Sequence, residues 1–317
     1  MIDAVVLQRC DEAQDICSFE LAAADGQPLP PCEPGAHIDV HLEGGLVRQY
    51  SLCPPPGAAG RYLIGVLREP ASRGGSVAMH GLQAGQRLRI SAPRNQFPLV
   101  AGARRSLLFA GGIGITPLLA MAEHLAGQGA DFALHYSTRS AQRTAFAERL
   151  RSGPVGGRAQ LHHDDGPAAQ RLDLDGALGL VQVGTHVYVC GPAGFMEWVL
   201  SGARARGWPE AQLHKEYFAA PAAPAGAADG AFEVLLARRG TVFTVPAGRS
   251  VIEVLASHGV EVPVSCEQGI CGTCLTPVID GTPDHRDVYL TDAEHARNDC
   301  FTPCCSRALS ARLVLDL

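Results

Sequence analysis

Alternation of apolar and polar residues is short-ranged in the first third of the chain and then changes character. Ala4–Gln8, His37–Leu42, Arg61–Leu67 and Arg87–Ser91 each read as a strand, and prolines at 28, 30, 31, 34 and 54–56 break the chain between them. Several short strands with turn signals between them predict an antiparallel β-barrel over residues 1–103. From 104 to 218 the pattern becomes one of short apolar runs, Ser106–Ala110, Phe132–Tyr136 and His186–Cys190, with a helix-like stretch at Pro117–Ala126. That alternation predicts an α/β domain built on a parallel sheet. Residues 219–230 are almost purely Ala, Pro and Gly and read as a linker. Beyond it, Phe232–Ala237 and Thr241–Val245 predict a hairpin, and Ser250–His258 predicts a helix with Ser250 as its N-cap. A third, smaller domain is therefore expected over 231–317, making the chain multidomain.

Composition narrows the class. The 317 residues suffice for two or three domains, and 46% hydrophobic against 18% charged residues is the balance of a soluble globular chain. No run of 18 apolar residues occurs, so no membrane span is expected. Met1-Ile2-Asp3-Ala4 has neither a basic nor an apolar leader segment, so no secretion signal is expected. A formal net charge of −6 argues against nucleic acid as a partner. Residues 230–317 carry 7 arginines against 11 acidic residues, which suits docking on a basic partner and equally an ordinary solvated face. Cysteines scattered through the first 190 residues fit reduced thiols in a cytoplasmic protein. No patterned interface helix stands out, so a monomer is expected.

Cysteines near the C-terminus carry the most specific chemistry. Cys266, Cys271 and Cys274 are spaced C-x4-C-x2-C, with Cys300, Cys304 and Cys305 further on. This is the spacing of a plant-type [2Fe–2S] centre, in which one tight loop wraps three thiolates around two irons. Gly269 and Gly272 sit between those ligands, where glycine permits unusual φ values and close approach of N–H groups to sulfur. Zinc is the alternative, but its sites usually combine two C-x2-C pairs and this chain has one. For the fourth ligand, Cys304 and Cys305 compete. On extended backbone only one of two adjacent side chains can face the metal.

Two further motifs lie upstream. Arg48-Gln49-Tyr50-Ser51 follows a predicted strand, and Gly111-Gly112-Ile113-Gly114-Ile115-Thr116-Pro117 joins an apolar run to a helix. Glycines in such a turn let a pyrophosphate approach the backbone, and the helix start favours anions; alone, the same turn often only makes a tight connection. Cys190-Gly191-Pro192 follows the third apolar run. Together these resemble the ferredoxin–NADP reductase superfamily, which pairs an R-x-Y-S flavin strand with a G-G-x-G-x-T-P nucleotide loop and a later C-G-P loop. With the cysteine module added, the whole chain resembles the phthalate dioxygenase reductase and vanillate O-demethylase reductase family.

The resemblance implies a flavin β-barrel, a parallel-sheet NAD domain and an α+β β-grasp ferredoxin domain, in that order. It implies that Tyr50 lies against the flavin, Ser51 bonds near its reactive nitrogen, Arg48 neutralises flavin phosphate, and Gln49 completes the strand. Arg73, Gly74, Gly75 and Ser76 match the phosphate loop of the branch that uses FMN rather than FAD. Val66, Leu67 and Arg68 flank the flavin, Thr116 closes on it from the NAD domain, and Phe218 covers its ring. Gly111, Gly112, Gly114, Pro117, Gly191 and Pro192 form the nucleotide loops, and Cys190 approaches the nicotinamide. Cys304 becomes the fourth cluster ligand, leaving Cys305 to pack in the small core.

Ser137, Thr138 and Arg139 follow the strand Phe132–Tyr136 and could grip a 2′-phosphate, yet related dioxygenase reductases carry a similar pair and use NADH, the expected donor here. His162-His163-Asp164-Asp165 reads as a strand end and turn, since adjacent histidines point apart. Asp284-His285-Arg286-Asp287 reads as a loop of the last domain.

The implied activity is a chain of electron transfers. NADH delivers a hydride, whereas an iron–sulfur cluster accepts one electron at a time; a flavin between them interconverts the two. Plant-type clusters sit near roughly −400 mV, so a Rieske-type terminal oxygenase, at about −150 mV or above, is a sensible acceptor. The expectation is the reductase component of a two-component aromatic oxygenase or O-demethylase. The alternatives are an FAD-containing reductase of another monooxygenase system and a non-catalytic electron carrier.

Overall fold

A computed structural model describes residues 1–53, 60–70, 72, 74–219 and 230–317. The Pro54–Pro56 break, Arg73 and all of the linker between Ala219 and Gly230 lie outside the described residues. The chain divides into two compact units, Met1–Glu216 and Tyr217–Leu317.

The first unit holds two sheets. Strands β1 (Ile2–Ala13), β2 (Ile16–Ala23), β3 (Ala36–His41), β4 (Val47–Ser51), β5 (Tyr62–Leu67), β6 (Arg87–Ile90) and β7 (Arg94–Asn95) form an antiparallel seven-stranded sheet in the order β4-β3-β6-β1-β2-β5, with β7 on β3. The two ends meet where Leu52 bridges Ile64 on β5, so the sheet closes on itself and leaves little free edge. Its interior is apolar: Val6, Phe19, Leu21, Ile38, Val40, Ile64 and Ile90 are fully buried. Strand β2 lacks the alternation of its neighbours. Phe19 and Leu21 fill the barrel while Ile16 packs into the adjoining core. Burial on both sides is why the sequence pattern did not mark it. Helix α1 (Gly75–Gly81) docks on β5, with His80 Nε2 3.0 Å from the Val66 carbonyl.

The second sheet is parallel throughout, in the order β10-β9-β8-β11-β12: β8 (Arg105–Gly111), β9 (Asp131–Thr138), β10 (Ala159–His163), β11 (Thr185–Cys190) and β12 (Leu213–Glu216). Helices α2 (Ile115–Gly127), α3 (Ala147–Ser152), α4 (Leu174–Leu178) and α5 (Ala193–Ala205) connect its strands. Leu118, Leu119, Met121 and Leu125 of α2 pack with Leu108, Leu134 and Tyr136 of the sheet. Ile16 and Phe97 from the barrel join the same core, so the two sheets share one interior. A bidentate ion pair ties α3 to α2, with both Arg149–Glu123 contacts at 2.6 Å.

The second unit is a small mixed sheet in the order β14-β13-β19-β15-β17: β13 (Phe232–Leu236), β14 (Thr241–Val245), β15 (Thr276–Asp280), β17 (Cys300–Phe301) and β19 (Arg312–Leu315). A two-stranded ladder, β16 (Pro283–Asp284) with β18 (Arg307–Ala308), lies beside it. Helix α6 (Val251–Ser257) begins at a capping box in which Ser250 and Glu253 satisfy each other's backbone N–H, and α7 (Asp292–Arg297) repeats the device with Thr291 and Glu294. The antiparallel β13–β14 hairpin and parallel β13–β19 pairing, with a helix over the sheet, are the β-grasp arrangement. Among the described residues no helix is long and apolar enough to cross a membrane.

One buried cation holds this unit together. Arg307 donates to the carbonyls of Arg249 (2.7 Å), Gly230 (3.0 Å) and Pro246 (3.1 Å) and lies over the Phe232 ring. Replacing it by Leu strands those carbonyls. Hydrogen bonds to a charged group are worth about 1.5–3 kcal/mol each, and their losses overlap. Arg307→Leu is therefore expected to destabilise the second unit by roughly 2–4 kcal/mol, as measured by denaturant unfolding of residues 230–317 in hydrogen exchange.

Candidate functional site

In the first unit the predicted residues gather at the carboxyl ends of the parallel strands. Gly111 ends β8 and Cys190 ends β11, paired in the sheet through Cys190–Ala110. Helix α2 starts one residue after Gly114, and Gly114 lies so close to β11 that a Cβ there would collide with the Cys190 carbonyl. A Cβ on Gly191 would stand 2.9 Å from Gly111 Cα. These close approaches, more than backbone freedom, are why small residues are needed. Gly112 does need glycine, with φ at 53°. Pro117 is buried in the first turn of α2, where a missing N–H costs nothing. Pro192 is the N-cap of α5. Phe195, which the sequence did not single out, lies over Gly111, with Cδ1 2.8 Å from where a Cβ would stand.

Ser137 pairs with Gly111 across β9 and β8, and its Oγ is buried without a hydrogen-bond partner among the described residues. A buried hydroxyl lacking a partner is costly unless a ligand satisfies it, which fits a nucleotide at this edge. Thr138 is turned away, into contacts with Thr144 and His163. Of the adjacent histidines, His162 contacts His135 (3.2 Å) and His163 contacts Thr138 (3.0 Å), so they do point apart.

Barrel and sheet meet at a part-buried polar contact. Ser51 Oγ donates to Glu216 Oε2 at 3.2 Å. Glu216 ends β12, where it pairs with Cys190 on β11. Burial pushes the Glu216 carboxyl up to about 8, against the opposing Ser51 hydrogen bond. Cys190 is fully buried; burial first, and the Glu216 charge second, raise its thiol well above the ordinary range. A thiol so placed is not an ionised nucleophile at neutral pH. Thr116 packs against the barrel, with Cγ2 2.8 Å from where a Cβ on Gly65 of β5 would stand. No motif in the sequence singles out Glu216. Its importance comes from a parallel pairing that no local motif encodes.

On the barrel, the Arg48 side chain runs across Gly75, with Cγ and Nε 2.5 Å from where a Cβ would stand, which joins the R-x-Y-S strand to the Gly74–Ser76 loop. Gly74 adopts φ 91°. Ser76 Oγ closes that loop on itself, accepting from Glu69 N–H (3.1 Å) and donating to Ser72 (3.0 Å). Tyr50 is half-buried against the barrel core, and burial raises its phenol. Gln49 instead donates to Asp39 at 3.0 Å, where Arg94 also binds at 2.7 Å, so its amide belongs to a structural network. Val66 is buried in β5, Leu67 ends that strand, and Arg68 follows it.

The second unit brings Cys266, Cys271, Cys274 and Cys304 together. Cys304 lies within hydrogen-bond reach of Cys266 and Cys274, and Cys266 of Cys271. Gln268 N–H points at Cys266 Sγ (3.3 Å) and Thr273 N–H at Cys271 Sγ (3.5 Å). Shared hydrogen bonds lower the Cys266 and Cys274 thiols and raise those of Cys271 and Cys304, so the four sulfurs compete for the same protons. Four crowded sulfurs with N–H groups aimed at two of them fit a thiolate-bound cluster. Gly269 (φ 71°) and Gly272 (φ 67°) are both left-handed, and a Cβ on Gly272 would enter the Tyr289 ring.

One expectation is corrected here. Pro303, Cys304 and Cys305 form a turn, closed by Cys305 N–H and Ser306 N–H on the Thr302 carbonyl, so the two thiols are not forced to opposite faces. Cys305 does not join the apolar core. It packs behind the cysteine loop against Gly269, with Thr302 Oγ1 3.3 Å from its sulfur. Phe218 belongs to the second unit and is 37% exposed.

Two outcomes are expected from this geometry. Gly272→Ala, forced into a left-handed conformation and against Tyr289, should lower iron and acid-labile sulfide per chain while leaving the thermal transition of Met1–Glu216 unchanged. Glu216 has a folded pKa raised above the ordinary 4.5 to about 8. The folded state therefore holds this proton more tightly, and stability falls as pH rises through that window. Glu216→Gln should flatten the decline of Tm between pH 5 and pH 9 relative to the native chain.

Comparison with known proteins agrees across the whole length. A family model for a 2Fe-2S iron-sulfur cluster binding domain matches residues 234–309, and one for the N-terminal domain of dimethylamine monooxygenase subunit DmmA-like proteins matches residues 87–213. The chain is 60% identical over 320 residues to vanillate O-demethylase oxidoreductase of Pseudomonas putida, covering 100% of both, and 42% identical to phthalate dioxygenase reductase of Burkholderia cepacia, covering 96% of this chain and 94% of that one. Among solved structures, phthalate dioxygenase reductase superposes with a TM-score of 0.77 at 40% identity, covering 100% of this chain and 98% of the other. The chain belongs to the family of vanillate O-demethylase oxidoreductases and phthalate dioxygenase reductases.

Proposed function

We propose that this protein is the reductase component of a two-component oxygenase, taking electrons from NADH through FMN to a [2Fe–2S] cluster and on to a Rieske-type terminal oxygenase. The observation that carries the reading is the pairing, in one chain, of a glycine-lined strand-end crevice bearing Ser51, Cys190 and Glu216 with a four-cysteine loop. Full-length relatives at 57% and 60% identity are named vanillate O-demethylase oxidoreductases, which favours an O-demethylase acting on a methoxylated aromatic acid as the partner. The reading takes the chain as a monomer with a barrel at 1–103, an NAD domain at 104–218, a linker at 219–230 and a ferredoxin domain at 231–317.

When bound, the flavin accepts a two-electron hydride and the cluster carries single electrons. The chain's own work is positioning and proton control. Arg48, Tyr50, Gly74, Gly75 and Ser76 hold the flavin and its phosphate, with Val66, Leu67, Arg68 and Thr116 around the ring. Gly111, Gly112, Gly114, Pro117, Gly191 and Pro192 would let a dinucleotide lie against backbone, with Ser137 as a hydrogen-bond donor and Cys190, a neutral thiol, at the nicotinamide end. Glu216, protonated below about pH 8, keeps a proton at its carboxyl beside Ser51 Oγ, where the hydroxyl can relay it. Cys266, Cys271, Cys274 and Cys304 ligate the cluster.

Anaerobic titration with NADH should bleach both flavin and iron–sulfur absorption, and mass analysis of the released flavin should give FMN. Release of FAD would overturn the phosphate-loop assignment; bleaching by dithionite but by neither NADH nor NADPH would leave only a carrier role. Ser51→Ala should slow flavin reduction on the order of ten- to a hundredfold in stopped flow, with iron content unchanged.

A further inference from the structure

The charged segment Asp284–Asp287 leaves strand β16 at Asp284 and runs as a loop from His285, and it assembles a group of metal-ligating atoms separate from the four cysteines. One ligand atom each from His285, Asp287 and His295 lies within 4.8 Å of the others. His295 Nε2 is 3.3 Å from both Asp287 carboxylate oxygens, and His285 Nδ1 is 3.7 Å from Oδ1. Metal–nitrogen and metal–oxygen bonds of about 2.0–2.1 Å at tetrahedral angles would set neighbouring ligand atoms about 3.3 Å apart. The spacing is therefore near that of a closed ligand set.

Burial and orientation distinguish this group from an ordinary solvated cluster. The Asp287 side chain is 0% exposed and that of His285 9%. His285 Nε2 faces Asn298 Oδ1 at 3.3 Å, a contact that needs the proton on Nε2 and leaves the Nδ1 lone pair toward Asp287. That Nδ1 is buried without a hydrogen-bond partner among the described residues. A neutral imidazole that turns this lone pair toward a carboxylate is repelled by it, and either a proton or a metal cation between the two atoms relieves that repulsion. Asp287 is itself fixed from outside, by Leu290 N–H on Oδ2 at 2.8 Å and Ser306 Oγ on Oδ1 at 3.4 Å, the kind of support that orients metal-binding carboxylates. The imidazole rings stack at 4.4 Å with 26° between their planes, so sharing one ion requires His295 to turn its ring toward Asp287. Its side chain, 25% exposed on the short helix α7, has room to do so.

We propose that His285, Asp287 and His295 bind one divalent cation of the zinc class, with water completing the coordination from the exposed His295 side. Two imidazoles and one carboxylate suit that class rather than calcium or magnesium, which prefer oxygen alone. The ion would brace the cysteine loop. Asp287 Cβ is 2.8 Å from where a Cβ on Gly269 would stand, and Val288 N–H donates to the Gly269 carbonyl at 3.0 Å. Cross-linking the 284–290 segment to α7 fixes the wall against which that loop rests.

The test uses the full-length holoprotein with its cluster intact, dialysed to equilibrium against buffered Zn²⁺. Zinc and iron are then counted by mass spectrometry, and the visible spectrum of the same sample is recorded. The expected result is one zinc per chain with iron and absorption unchanged, together with slower hydrogen exchange across 284–297. His295→Gln and His285→Gln should each weaken zinc uptake about tenfold or more while retaining iron. No stoichiometric zinc in the native protein would overturn the site, as would uptake matched by iron loss, which marks the cysteines as the ligands. Native-like uptake by both variants would overturn it equally.

Discussion

The contact between Ser51 and Glu216 is the point on which the first unit turns. Ser51 is the last residue of a barrel strand, and Glu216 is the last residue of the edge strand of the parallel sheet, 165 positions away in the chain. Burial at that junction raises the pKa of the acid to about 8, and a hydrogen bond from the other sheet opposes the shift. The shared apolar core beneath, where Ile16 and Phe97 of the barrel meet Leu118 and Met121 of α2, fixes the two sheets closely enough for that bond to form. Cys190 is drawn into the same environment by its pairing with Glu216, and a thiol between burial and a carboxyl stays neutral.

Close approach of backbone is the second constraint. Gly114 against the Cys190 carbonyl and Gly191 against Gly111 bring two strand ends and a helix start nearer than any side chain permits. What results is a strand-end surface formed by backbone, which suits a ligand recognised through phosphates and ring faces. The cysteine loop uses glycine differently. Gly269 and Gly272 are in the left-handed region, so the chain can curl while N–H groups of Gln268 and Thr273 point inward at sulfur. There the backbone supplies the hydrogen bonds that favour thiolate.

The two units solve different problems of burial. The barrel and parallel sheet are large enough to bury whole layers of aliphatic side chains. The smaller unit has a modest core, and it adds polar staples: a buried Arg307 reaching three carbonyls, two capping boxes, and Asp287 holding Leu290, Ser306 and two histidines around its carboxylate.

The sequence by itself determined the features that are local. Cysteine spacing, the strand–glycine–helix junction at 111–117, the Ser250 cap and the hairpin at 232–245 each arise within a few residues, where backbone sterics and capping chemistry act directly. Strand β2 was missed because burial on both faces erases alternation, and the Cys304–Cys305 argument failed because a turn stands where extended backbone was assumed. Only the tertiary structure decided what lies far apart in the chain. The pairing of Cys190 with Glu216, the reach of Ser51 across two sheets, and the gathering of His285 and His295 about Asp287 depend on strand order and helix placement, and the energy of those contacts comes from a shared interior that no local segment can specify.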